Sequence, residues 1–245
     1  MAESVTVIAL RGALHAAPEN TVPAIKEAVK AGVDIVALDV QPTSDHVPIL
    51  IGDTRVDRVT NGQGKVTQLA LKEIQSLDAG SWFDAKFKGT SVATLEDGLA
   101  ALGKKTRGMF ILPQVDAGSA FGGNLLALLK GRAGTGDLLV CPDSGTLKSL
   151  REKAPDFEYV LALDEKVDGW LHIEKARSLK LNFIRPHTRQ LNAKLVGNAH
   201  GKKLKVYAHF ADEADEMAEL IEMKVDGIVT GRPERLQDLL AGAKK

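Results

Sequence analysis

The chain has 245 residues and a balanced charge, with 32 Lys plus Arg against 32 Asp plus Glu. That balance supplies no global field to draw it onto nucleic acid or an anionic membrane, and no run approaches the roughly 20 apolar residues that span a bilayer. A single cysteine, Cys141, excludes an internal disulfide and agrees with a reducing compartment.

The amino terminus, from Met1 through Glu3 into Val5-Thr6-Val7-Ile8, has no basic region followed by a long apolar stretch and a small-residue cleavage site, so a cytoplasmic location is expected. Short apolar, β-branched runs then alternate with stretches of helical period. The first run is Val5–Leu10. A helix start follows at Asn20-Thr21, ahead of Val22, Ile25, Ala28 and Val29 at three- and four-residue spacing. The next runs are Asp34–Val40 and Pro48–Ile51. Only seven residues separate these two. A parallel crossover needs about a dozen, so Pro48–Ile51 is expected to be a hairpin return strand.

The Gly-rich, polar stretch of residues 54–89 reads as an excursion, and Trp82, Phe83 and Phe87 as its packing. Beyond it come Met109–Val115, Leu138–Cys141, Tyr159–Leu163, Leu181–Arg185, Leu204–Ala208 and Gly227–Thr230. Pro113, inside the first of these, predicts local distortion through a lost ladder donor. Cys141 closes its run as a small core residue. Helix, Gly32, Asp34 and strand recur late as helix, Lys224, Asp226 and strand. Setting the hairpin strand aside leaves eight, which predicts an α/β fold of the (β/α)8 TIM type with a small insertion after the second strand, in one domain covering residues 1–245. Only Ala241-Gly242-Ala243-Lys244-Lys245 reads as a disordered tract.

Barrels of this kind hold their active sites at the carboxyl ends of the strands. Those ends carry Arg11 and His15, Asp39, Gln114, Asp143, Asp164, Arg185 with His187, His209, and Arg232, with Asp53 on the hairpin.

Several ordered blocks carry a resemblance to a known family. Ile8-Ala9-Leu10-Arg11-Gly12-Ala13 with Pro18-Glu19-Asn20-Thr21 resembles A-H-R-G-A followed by P-E-N-T. Ala31-Gly32-Val33-Asp34-Ile35-Val36-Ala37-Leu38-Asp39-Val40 resembles A-G-A-D-x-I-E-L-D-V. Gly52-Asp53 stands at H-D, Val56-Asp57-Arg58-Val59-Thr60-Asn61-Gly62 at L-D-R-T-T-N-G, and Asp78-Ala79-Gly80-Ser81-Trp82-Phe83 matches D-A-G-S-W-F. Val92-Ala93-Thr94-Leu95-Glu96-Asp97 and Val225-Asp226-Gly227-Ile228-Val229-Thr230-Gly231-Arg232-Pro233 extend the match. In this pattern the chain resembles the glycerophosphodiester phosphodiesterase family.

The resemblance implies a barrel in which two histidines act as acid and base and three carboxylates surround a divalent metal. Here Leu10 and Gly52 stand at the histidine positions. Ala37 and Leu112 stand at two metal-ligand positions, the second within Ile111-Leu112-Pro113-Gln114, and only Asp39 is retained. Leucine and glycine can neither take nor give a proton. One carboxylate cannot hold magnesium or calcium tightly by itself.

Arg11 has a planar fork suited to phosphate. Its competing fate is an ion pair with Asp39 or another acid, and the same choice faces Arg185 and Arg232. Asp53 and Gln114 complete the candidate ligand-binding set. His15, His187 and His209 are the candidate substitutes for acid and base, against the plainer reading of solvated loop histidines. Glu19 and Asn20 read as the turn that starts a helix. Whether Lys65, Lys86 or Lys88 reaches the mouth is open.

The expected function is that of a catalytically degenerate phosphodiesterase-like protein, a pseudoenzyme whose barrel mouth binds a phosphate-bearing, glycerophosphodiester-like small molecule or a protein partner. The enzymatic alternative is a phosphoric diester hydrolase of lipid metabolism that releases glycerol 3-phosphate from a rearranged site. A third reading is a structural or regulatory partner of an active paralogue. No cofactor is expected, except magnesium or calcium under the enzymatic alternative.

Overall fold

The computed structural model describes residues 5–164 and 166–242. Met1 and Glu3, used in the expectation about the amino terminus, and Ala243, Lys244 and Lys245 lie outside the described residues. Ala241 and Gly242 continue the last helix rather than forming a disordered tail.

Nine strands form one sheet: β1 (Thr6–Leu10), β2 (Ile35–Pro42), β3 (Pro48–Leu50), β4 (Arg107–Ile111), β5 (Leu138–Cys141), β6 (Glu158–Leu161), β7 (Phe183–Ile184), β8 (Lys205–His209) and β9 (Gly227–Thr230). All except β3 run parallel, in the ring order β6-β5-β4-β2-β1-β9-β8-β7, and β6 stands beside β7 where the ring closes. β3 turns back antiparallel on β2, with Val40 opposite Leu50, as the short connection requires. The fold is a (β/α)8 barrel with a small insertion after its second strand.

The outer layer holds α1 (Val22–Lys30), then, after the short α2 (Leu71–Gln75) of the insertion, α3 (Leu95–Leu102), α4 (Ala120–Leu129), α5 (Ser144–Lys153), α6 (Gly169–Ser178), α7 (Ala193–Gly201), α8 (Ala214–Glu222) and α9 (Pro233–Gly242). Among the described residues no helix is long and apolar enough to cross a membrane. Strand alternation sends Ile8, Ala37, Met109, Val140 and Val229 into the ring, and Val7, Val36, Phe110 and Leu139 outward against the helices. The insertion buries its own small cluster, including Val56, Val66 and Ile74. Trp82, Phe83 and Phe87 stack edge to face at its surface.

Most strands are shorter than their apolar runs, and one is displaced. The run Met109–Val115 yields a strand at Arg107–Ile111, because Leu112 and Val115 are buried in the outer core after the strand has ended. Pro113 therefore follows the ladder instead of interrupting it, and the N–H of Leu112 still reaches the Val140 carbonyl at 3.0 Å. Tyr159–Leu163, Leu181–Arg185 and Leu204–Ala208 likewise become β6, β7 and β8, with Arg185 just beyond β7 and His209 at the tip of β8.

An acidic residue just before a strand pins the amino-terminal rim in three places. Asp34 accepts from the Val7 N–H at 2.8 Å, Asp137 from Gly108 at 2.8 Å and Asp226 from Val206 at 2.7 Å. Each joins its own strand to the preceding strand of the ring and satisfies a backbone donor. This is the physical content of the repeated Asp34 and Asp226 units, where Gly32 and Lys224 both take left-handed backbone to end their helices. Asp137 also pairs with Arg132, whose guanidinium is buried and donates to the Gly103 and Thr106 carbonyls.

Asp137→Ala would strand the buried Arg132 charge and the Gly108 donor together. Loss of one partner from a buried pair costs about 3–5 kcal/mol, so urea unfolding of this variant is expected to show a loss of that size. A change under about 1 kcal/mol would mean that the rim pin is dispensable.

Candidate functional site

The carboxyl end of the ring forms the mouth, and its innermost layer is aliphatic where the family resemblance calls for reactive groups. Leu10 ends β1 and packs with Ile111 and Ala162 over the interior cluster that contains the fully buried Ala37. Asp39 pairs in register with Ile111, so Ile111, not Leu112, is the inward residue of β4 at this height. Leu112 belongs to the outer core. The assignment of the third carboxylate position moves by one residue, and that residue is again apolar.

The first wall of the mouth is an ion-pair network centred on Arg11, whose backbone is left-handed at φ 54°. Its Nε donates to Asp39 Oδ2 at 2.6 Å, and its Nη1 to Glu19 Oε1 at 2.9 Å. Asn20, also left-handed, clamps the same strand end: its amide donates to Asp39 Oδ2 at 3.0 Å and its carbonyl oxygen accepts from the Asp39 N–H at 3.1 Å. Thr21, rather than Asn20, caps α1. Arg11 thus takes the ion-pair fate, and Glu19 and Asn20 do more than start a helix.

Gly52 makes this network sterically possible. A Cβ at Gly52 would lie 2.7 Å from Arg11 Nη2 and 2.8 Å from Asp39 Oδ2. The guanidinium therefore lies in the space that a side chain at the second histidine position would enter.

Sequence reasoning missed Arg58, which comes from the inserted segment. It reaches Asp53 at 2.6 Å and Glu19 at 2.6 and 3.0 Å, straddling both carboxylates. The hydrogen bonds to Glu19 first, then to Asp53, raise its already high pKa further. Its block was visible as a match, but nothing in local spacing shows a contact 39 residues away. Asp53 is consequently engaged by Arg58.

The second wall is built from β7 and β8. Arg185 Nη2 lies 2.9 Å from His209 Nδ1. A guanidinium only donates, so Nδ1 accepts and the ring proton sits on Nε2. Burial, then the electrostatic influence of Arg185, His187 and Arg11, push His209 down to about 2, and the ring is neutral at neutral pH. Burial also lowers Arg185 to about 10, opposed by the attraction of Asp39. At that value it stays a cation.

The three candidate histidines divide. His187 and His209 come together, with ring centroids 6.4 Å apart. His15 goes elsewhere: its Nε2 is 3.3 Å from Asp212 Oδ2, and with Leu14 it covers Gly231. Asp212, also missed from sequence, accepts from Thr230 Oγ1 and the Gly231 N–H at the tip of β9. Asp143 caps α5 and Asp164 accepts from the nearby Lys166 N–H, both local roles. Gln114 is exposed, and Arg232 lines a cleft with Ala214 and Arg235.

The donor set does not fit a divalent metal. Two of the three implied carboxylate positions are aliphatic, and Asp39 Oδ2 already accepts from Arg11 and Asn20. No group of three or more His, Cys, Asp or Glu among the described residues is arranged to hold an ion. Hard divalent cations need several oxygen ligands at once.

Comparison with known proteins gives a consistent result. The Glycerophosphoryl diester phosphodiesterase family profile matches residues 11–235. YhdW of Bacillus subtilis (strain 168) is 32% identical over 233 residues, covering 93% of this chain and 95% of YhdW. A glycerophosphodiester phosphodiesterase of Caldanaerobacter subterraneus subsp. tengcongensis is 30% identical over 244 residues, covering 96% and 97%. Among solved structures, an Oleispira antarctica phosphodiesterase in complex with the product sn-glycerol-3-phosphate superposes with a TM-score of 0.89 at 21% identity, covering 97% of each chain. At that identity the likeness speaks for the fold.

Two outcomes are expected from this geometry. Gly52→Ala forces a Cβ onto Arg11 and should cost about 1–3 kcal/mol. Part of this should be recovered on an Arg11→Ala background, so a double-mutant cycle by chemical denaturation should show coupling, and strict additivity would sink the packing argument. His209 and the buried His172, held down to about 4 chiefly by burial, both bind protons more readily when unfolded. Stability should therefore fall as pH drops from about 6.5 to 4, with His172→Phe flattening the slope. Urea titrations across that window would read it.

Proposed function

Because the chain belongs to the glycerophosphoryl diester phosphodiesterase family, we propose that it keeps that family's barrel mouth as a binding site for a phosphate-bearing small molecule and has lost the hydrolytic reaction. The observation that carries this reading is the Arg11 guanidinium, locked to the surviving Asp39 and lying against Gly52. It takes up both the carboxylate expected to serve a metal and the space expected to hold a proton-transfer group. Removing one member of a coupled catalytic set already abolishes most of a rate. Leu10, Gly52, Ala37 and Ile111 together leave neither acid, base nor metal at the implied positions.

One observation favours the competing reading of a rearranged, active hydrolase: His187 and His209 do meet. Against it, His209 has its Nδ1 engaged by Arg185 and a pKa near 2, far below the range in which a general base works at neutral pH. The ligand class follows from the barrel relative in complex with sn-glycerol-3-phosphate, which makes a glycerophosphoryl group the first candidate. A cytoplasmic place beside glycerophospholipid metabolism belongs to the same proposal.

The test is release of glycerol 3-phosphate from a panel of glycerophosphodiesters with calcium, magnesium, manganese or chelator. Wild type is expected to give no more product than Asp39→Ala under any condition. Metal-dependent turnover that is lost in Asp39→Ala would overturn the proposal and move attention to His187 and His209.

A further inference from the structure

The geometry points to the Arg185–His209 wall, and not Arg11, as the subsite that seats the phosphate group of a phosphate ester. This rests on the binding reading above and deepens it by assigning the residues. The two walls of the mouth differ in one respect that decides the matter: what remains unused on each guanidinium.

On the first wall, acceptors are plentiful. Arg11 and Arg58 face Asp39, Glu19 and Asp53, and an incoming anion would meet three carboxylates already in place. Two cations against three anions repel a phosphate. Two of the three nitrogens of the Arg11 fork, which suits a phosphate in isolation, are spent on Asp39 and Glu19.

On the second wall, among the described residues, Arg185 and His209 carry donors that no carboxylate takes up. Among the described residues Arg185 makes one hydrogen bond, to His209, and its Nε is shut off from solvent without a partner. No carboxylate among the described residues hydrogen-bonds to it, and Asp39 attracts it only through space. The Nη1 end, neither paired nor among the sealed unpaired atoms, opens to solvent on a half-buried residue. His209 adds a second donor, since accepting from Arg185 at Nδ1 fixes its proton on Nε2. His187 stands within 6.4 Å of that ring. A guanidinium and a neutral imidazole N–H that lack acceptors match a tetrahedral oxyanion, which offers acceptors only.

The fold explains why the pair is preorganised. Phe183 and Tyr207 pack against each other inside the ring, with centroids 5.1 Å apart, and two residues later Arg185 stands just past the end of β7 and His209 at the tip of β8. Period-two alternation then turns both toward the mouth. Holding a guanidinium there with an unmet Nε disfavours the ligand-free protein, as expected of a residue kept for binding and not for stability.

The experiment is calorimetric titration of the full chain with inorganic phosphate and with sn-glycerol 3-phosphate, alongside unfolding curves without ligand. Wild type is expected to bind, more weakly as salt rises. R185M should lose at least about tenfold in affinity while its ligand-free Tm stays equal or rises, because an incompletely satisfied charge has been removed. R185K should retain part of the affinity. Equal binding of both probes supports a site for the phosphate alone, and tighter binding of the ester supports one that also reads the glycerol. H209F supplies the answer should R185M fail to fold, and is expected to weaken binding while keeping the Arg185 charge. Wild-type affinity in R185M or H209F, or no binding of either probe to wild type, overturns the subsite. Diester turnover, measured separately, would instead sink the degenerate reading and leave the subsite standing.

Discussion

The mouth of this barrel is organised by the contact between Arg11 and Asp39, 2.6 Å apart with Gly52 against them. A largely buried carboxylate at a strand end, above an aliphatic interior that includes Ala37, needs a counter-charge or a metal to be tolerated. Arg11 supplies the counter-charge. The rest of the first wall follows, because Arg11 brings in Glu19, Glu19 brings in Arg58, and Arg58 brings in Asp53 and with it the inserted segment. Asn20 completes the set by closing on both the side chain and the backbone of Asp39. Residues distant in sequence are thereby fixed in one arrangement by satisfied polar groups, which is the condition under which a buried polar network rigidifies a structure.

The same contact divides the electrostatics of the mouth. Charge on the first wall is paired at short range, whereas Arg185 on the second is paired with a neutral ring and feels Asp39 only at a distance. A metal-dependent hydrolase concentrates carboxylates around a cation and places proton donors across from them. Here the carboxylates surround arginines, and the histidine opposite stays a neutral imidazole at neutral pH. The barrel is intact, and the difference lies wholly in the side chains at the strand ends, where function on this fold resides.

Much of the fold was legible because its signals are local. Period-two apolar runs, a seven-residue hairpin connection and the repeated acid before a strand each reflect a constraint within a dozen residues. The site was legible only in its absences. That Leu10 and Gly52 cannot move protons follows from their chemistry alone, but whether Arg11 meets an anion or Asp39 is a tertiary question. The inward residue of β4 was misplaced by one because Ile111 and Leu112 are both apolar and alternation cannot choose between them when both faces are buried. Arg58 and Asp212 went unnoticed because their partners lie at long range, at Glu19 and at His15 with the tip of β9. The neutrality of His209 depends on burial, which no spacing records.

The emptiness at Gly52 also bears on which substitutions the mouth can accept. Any side chain at that position would collide with the Arg11 guanidinium, and Arg11 cannot leave without exposing Asp39 and loosening Glu19 from its loop. Substitution by single steps therefore runs uphill at each step: a histidine at 52 is obstructed while Arg11 stays, and the departure of Arg11 is opposed while Asp39 has no other cation. Position 52 is thus held by a steric latch, in which the packing built around an absent side chain keeps one from being added.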